Sequence, residues 1–216
     1  MAEQHARLME TQEEVAFELR AAEGAIWTGG RVVIGIGAMA FAALAFAYFY
    51  LRSYNDQGLW RPHGVTAPTM IGAAIFSTVV ASAAVHAFGR YRMRQGFSID
   101  WEVAGWVAVL GGLLAIGLQI WELTQLPFQP GASGYSSCFI GWAVMNIGLL
   151  VFATYWLETL LARALRLRRA IAEDGGAARS AMPAARLFRA SLESCSYFWL
   201  FTAAVSILFW VLFYVV

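Results

Sequence analysis

The chain contains no lysine, three histidines and two cysteines in 216 residues, and only 13% of it is charged. Two cysteines, Cys138 and Cys195, are too few for a disulfide framework or a structural zinc site. Of the histidines, His5 and His63 fall outside the apolar stretches. That leaves His86 alone, whereas a b-type haem held between membrane helices takes two. No glycine-rich phosphate loop, CxxCH haem attachment or nucleophile elbow occurs. The first thirty residues are acidic, through Glu3, Glu10, Glu13, Glu14, Glu18 and Glu23. A cleavable signal peptide has the reverse pattern, so the first apolar stretch is expected to direct insertion itself. The net charge of +1 gives no reason to expect a nucleic-acid partner.

What is abundant is apolar. Hydrophobic residues make up 60% of the chain and mean hydropathy is +0.59, against about 45–50% apolar residues in a soluble domain. A soluble protein of this length cannot hide so much apolar side chain beneath a wettable surface. Lipid must be the solvent for much of it. Crossing ~30 Å of hydrocarbon at 1.5 Å per residue takes ~20 mostly apolar residues, and five stretches qualify: about 32–51, 67–89, 103–126, 136–161 and 194–216. Barrel strands are excluded, because they alternate over ~10 residues. The expected fold is therefore all-α, a polytopic membrane bundle of five transmembrane helices.

Arginine fixes the expected orientation. With the N-terminus inside, 13 of the 15 arginines lie in inner segments and only Arg52 and Arg61 lie outside, a strong positive-inside bias. The expected location is the bacterial cytoplasmic membrane, with the N-terminus cytoplasmic and the C-terminus outside. On that topology Cys138 and Cys195 sit at opposite ends of their helices, beyond the ~7 Å limit for a bridge. Residues 1–30 read as a cytoplasmic or interfacial helix, with Thr11 and Glu14 as a capping box and Leu8, Val15, Leu19 and Ile26 along one side. The linker 163–192, arginine-rich at its start and carrying Gly175, Gly176 and Pro183, is either a solvated charge run or lies against anionic headgroups.

Few polar side chains fall inside the spans. Glu122 is near the end of the third, and Gln119, three positions earlier, shares its helix face and is placed to bond with it. The pair is either a structural hydrogen bond or a proton-linked or headgroup site. Asn146, mid-span, reads as an interhelical hydrogen-bonder. Glu158 is one turn from Arg163 and reads as snorkelling or paired with it. Gly35, Ala38, Ala42, Gly111, Gly112 and Gly117 permit close helix packing. These residues alone describe a cofactor-free helical membrane subunit.

Taken in order, the helix ends resemble subunit III of haem-copper respiratory oxidases, in the short five-helix form. The first span ends Phe46-Ala-Tyr48-Phe-Tyr50-Leu-Arg52-Ser53, similar to the family's AYFYLRS ending. The second ends near His86. Gly105-Trp106 opens the third, which reaches Gln119-Ile-Trp-Glu122, similar to the family's Q-x-x-E. Pro127-Phe128 and Tyr135-Ser-Ser137-Cys-Phe139 enter the fourth. Glu193-Ser-Cys-Ser-Tyr197-Phe-Trp199 is similar to the family's EAAxWYW. The departures are systematic. Gly37 stands where the family has a carboxylate, Asn146 and Leu149 where it has two histidines, and Leu200 and Ala203 where it has His and Asp. The resemblance is to a divergent member.

The resemblance implies a non-catalytic accessory subunit with no cofactor of its own, beside a catalytic subunit I and a subunit II that carry haem and copper. The complex passes electrons from cytochrome c or quinol to oxygen and couples this to proton movement. Phospholipid is the implied ligand of this chain. Gln119, Glu122, His86, Asn146 and Trp199 are its candidate lipid-cleft or structural polar positions. The alternatives are a subunit-III-like accessory of nitric oxide reductase, a small transporter lined by Gln119 and Glu122, and a scaffold that recruits a soluble partner through its acidic first segment.

Overall fold

The computed structural model describes residues 2–54, 60–61, 65–173 and 178–216, apart from the side chains within 2–12, 170–173 and 178–182. It is a bundle of five long helices with no strand among the described residues: α1 (Ala2–Ser53), α2 (Thr69–Arg94), α3 (Ser98–Thr124), α4 (Gly134–Glu173) and α5 (Ala178–Trp210). A π-helical turn, Val211–Val215, continues α5. Each of the five is long and apolar enough to cross a membrane. The outward side chains are those that suit lipid: Met39 is 77% exposed, Phe46 70% and Leu110 63%. Meanwhile Gln119, Glu122 and Asn146 are 0% exposed. This is a multi-pass membrane protein, with apolar groups facing outward along the spans and Gln119, Glu122 and Asn146 sealed inside.

The helices run past their apolar windows. α1 is continuous from Ala2, so the acidic first segment and the first span are one rod. Thr11 and Glu14 are thus interior positions and not a capping box, because the helix starts upstream of them. Val15 faces solvent, while Leu19 and Ile26 are half-buried; the Leu8 side chain lies outside the described residues. Much of the 163–192 linker is helical too, being the end of α4 and the start of α5, with Pro183 inside α5 in its second turn, where it supplies no N–H to the helix ladder.

Ion pairs and hydrogen bonds identify the two ends of the bundle. At one end, Arg90 of α2 meets Glu193 of α5 at 3.0 Å, Arg168 of α4 meets Glu102 of α3 at 2.9 Å, and Arg186 of α5 meets Glu23 of α1 at 3.1 Å. At the other, Tyr48 of α1 donates to the Leu212 carbonyl at 2.7 Å and Tyr135 of α4 donates to the Phe213 carbonyl at 3.0 Å. The first is called here the arginine end, the second the aromatic end. At the aromatic end Tyr48, Trp60, Tyr135, Phe139 and Phe213 form an edge-to-face cluster. Cys138 belongs to that cluster and Cys195 to the core nearer the arginine end, each a free thiol. Helix α5 touches α1, α2 and α4. Half of its span is buried, against 11% for α1.

Helices α2 and α3 are joined by three residues. Gly96 has φ +96°, its N–H donates to the Met93 carbonyl (3.0 Å), and the Phe97 N–H donates to the Arg92 carbonyl (3.1 Å). This is a Schellman stop, completed by the Arg92 guanidinium 3.9 Å from the Phe97 ring centre. A Cβ there is strained in the left-handed region, so Gly96→Ala is expected to cost about 1 kcal/mol. Denaturation in mixed micelles measures it.

Candidate functional site

Four of the five polar positions fall into two buried networks. In the first, Gln119 and Glu122 project from the same face of α3, and Gln119 Nε2 donates to Glu122 Oε2 at 2.9 Å. Asn146 of α4 donates through Nδ2 to Gln119 Oε1 at 2.9 Å. Ser206 of α5 donates to Asn146 Oδ1 at 3.2 Å. From the π-helical turn the Tyr214 hydroxyl donates to Glu122 Oε1. Every donor therefore points along the chain towards the carboxyl, from Ser206 through Asn146 and Gln119 on one side and from Tyr214 on the other. Three helices and the terminal turn are tied together by it.

Tyr214 reaches Glu122 by lying across α2. A Cβ at Gly72 would overlap the Tyr214 ring, so only glycine leaves the ring room to pass. At mid-bundle a Cβ at Gly112 of α3 would overlap Thr154 Oγ1 and come within 3.2 Å of Trp199. Gly111 lies against Ser82, whose hydroxyl donates to the Ala108 carbonyl at 2.8 Å. Of the small residues expected to admit neighbouring helices, Gly111 and Gly112 do so. Gly35 and Gly117 have open space where a Cβ would be.

The second network is smaller. His86 of α2 pairs through Nε2 with Ser196 Oγ of α5 at 2.9 Å, and Ser196 donates its own proton to the Leu192 carbonyl at 2.8 Å. Since that hydroxyl proton is used, His86 Nε2 is assigned as the donor and Nδ1 bears the lone pair. Nδ1 is buried and without a protein partner, as is the Trp199 indole nitrogen, in rings whose centres lie 6.1 Å apart. Trp199 therefore contributes packing here, not a hydrogen bond.

All five candidate positions are at most 2% exposed. A headgroup outside the bundle touches none of them, and the basic clefts lie elsewhere. At the arginine end one opening of about 540 Å³ is lined by Glu23, Trp27, Arg186, Arg189 and Glu193. A second, of about 310 Å³, shares Arg189 and Glu193 and adds Arg90 and Arg94. Glu193 bridges Arg90 and Arg94. Among the described residues Arg189 has no ion-pair partner. Glu158 is exposed on α4 and forms no ion pair with Arg163.

Ser206, Tyr214, Ser196 and Glu193 were not singled out as partners by sequence reasoning, although the signal was present. Ser196, Trp199, Thr202, Ser206, Trp210 and Tyr214 recur at spacings of three and four along α5 and the turn that continues it, a single stripe from which Ser196, Ser206 and Tyr214 meet polar residues of other helices. No group of three His, Cys, Asp or Glu gathers among the described residues. In comparisons with known proteins, no family model matches the chain and no curated protein matches it.

Proposed function

We propose that the chain is a subunit-III-like accessory subunit of a bacterial haem-copper oxidase complex, which supports assembly of the catalytic subunits and carries no redox centre itself. The observation that carries this reading is the ordered series of helix-end motifs from Tyr48 to Trp199. One further feature agrees with it. Gln119 and Glu122, the motif pair of the third span, meet in one internal network that ties α3 to α4 and α5. At Gly37, one of the departures from the family, the place of a Cβ lies 2.9 Å from the Phe201 ring, which takes the space. Haem and copper belong to subunits I and II in this reading. Anionic phospholipid is assigned to the clefts around Arg189, since an unpaired guanidinium at membrane level is matched to a phosphate.

The decisive experiment is affinity capture in mild detergent, with a redox difference spectrum and mass spectrometry of the eluate. A haem-bearing partner is expected, and an eluate with neither haem nor haem protein overturns the reading. Assaying the eluate with oxygen and with nitric oxide separates an oxidase from a nitric oxide reductase. The orientation is part of the proposal: the arginine end is cytoplasmic, supported by 13 arginines on that side. Alkaline phosphatase fused after Val216 is expected to be active, and a fluorescent protein fused there dark; the opposite pair of results inverts the topology.

A further inference from the structure

Glu122 brings an ionisable group into a bundle that offers it no counter-charge. Its two oxygens accept from the Gln119 amide and the Tyr214 phenol, both neutral. From α4 the ionisable group near it is Tyr135, also neutral, and α2 presents Gly72 beneath the Tyr214 ring. No arginine or histidine bonds to it among the described residues. An unpaired carboxylate in such surroundings is far more costly than the neutral acid. The carboxyl is 0% exposed, so any proton it gains or loses passes through a neighbour. Gln119 and Asn146 orient it but take up no proton near neutral pH. Tyr214 differs on both counts: it is a hydroxyl, and its half-buried side chain lies two residues from Val216 at the aromatic end.

We infer that Glu122 is a proton-binding site, loaded and unloaded through the Tyr214 hydroxyl from the aromatic end of the bundle. On loading, the phenol proton moves to the carboxylate oxygen that it faces, and a proton from water replaces it on the phenol oxygen. Glu122 becomes a carboxylic acid and Tyr214 ends unchanged. Unloading reverses both transfers. The Ser206–Asn146–Gln119 chain holds the carboxyl facing Tyr214 in either state. The site stands whether or not a haem protein accompanies the chain.

Infrared spectroscopy of the purified full chain tests this. A carboxylic-acid carbonyl band is expected at neutral pH in the wild type and absent in Glu122→Gln. Glu122→Asp, which keeps a carboxyl, is expected to shift the band instead of removing it. On transfer to heavy water the band's isotope shift is expected to be about a hundredfold slower in Tyr214→Phe, the lower range for loss of one positioned proton-transfer group. Circular dichroism confirms that each variant remains helical. If neither Glu122 variant alters a carbonyl band at any pH where the protein stays folded, proton binding is overturned. A Tyr214→Phe protein that exchanges as fast as the wild type overturns the route.

Discussion

Gly112→Ala is expected to destabilise the bundle by about 1–3 kcal/mol, the range for overpacking a well-filled interior. A second change, Thr154→Ala, is expected to recover most of that loss. The added methyl would occupy the space held by Thr154 Oγ1, with the Trp199 ring 3.2 Å away on another side. Neither obstacle is the free end of a flexible chain. Thr154 is 4% exposed on α4 and Trp199 2% exposed on α5, both closely packed. Thr154→Ala removes the overlapping oxygen, which itself has no hydrogen-bond partner in the protein, so the change sacrifices no bond. A double-mutant cycle in mixed micelles gives the coupling directly. If the two changes merely add, the close approach of α3 to α4 at this point is wrong.

The second large effect belongs to Asn146. Asn146→Leu breaks both the bond to Gln119 and the bond from Ser206, and it strands an acceptor and a hydroxyl in an apolar interior. A hydrogen bond within a membrane bundle is worth ~0.6 kcal/mol on average and up to ~1.7, because the unassembled helices also find partners. Two lost bonds plus the two stranded groups then give roughly 2–4 kcal/mol. Asn146→Asp retains the acceptor for Ser206 and, once ionised, removes the donor to Gln119. It is expected to lower stability as well and, unlike Asn146→Leu, to do so more steeply as pH rises. Equal losses at low and high pH would contradict the burial of position 146 in an apolar interior.

The fold was legible in the sequence because its cause is bulk solvation: apolar runs long enough to cross hydrocarbon can only be helices. The contact between Gln119 and Glu122 was legible because an i, i+3 pair on one helix needs no knowledge of the fold. Asn146 was legible as a bonder but not its partners, since pairing across helices depends on rotation and depth. Tyr214 was hidden for a different reason. Its reach depends on Gly72, 142 positions away, leaving room across another helix. The capping pattern at Thr11 and Glu14 is local, and the helix that runs unbroken from Ala2 overrides it. His86 shows the limit of residue-type reasoning, for its single protein partner is a serine on the most buried helix.

The distribution of contacts made by α1 has a consequence for biogenesis. Helix α1 packs on α5 and α4, the two of the other four helices made furthest after it. Tyr48 finds its acceptor at Leu212, 164 residues later. At 5–20 residues per second, roughly 10–30 s of synthesis separate the two. Through that interval α1 stays in the bilayer without α5, the helix it contacts most, while α2 and α3 form their hairpin. The bundle then closes within the few residues from Leu212 to Val216, which receive Tyr48, Tyr135 and Arg52 and deliver Tyr214. Of the five helices, α1 is thus the one whose contacts lie furthest along the chain, at the turn that follows α5.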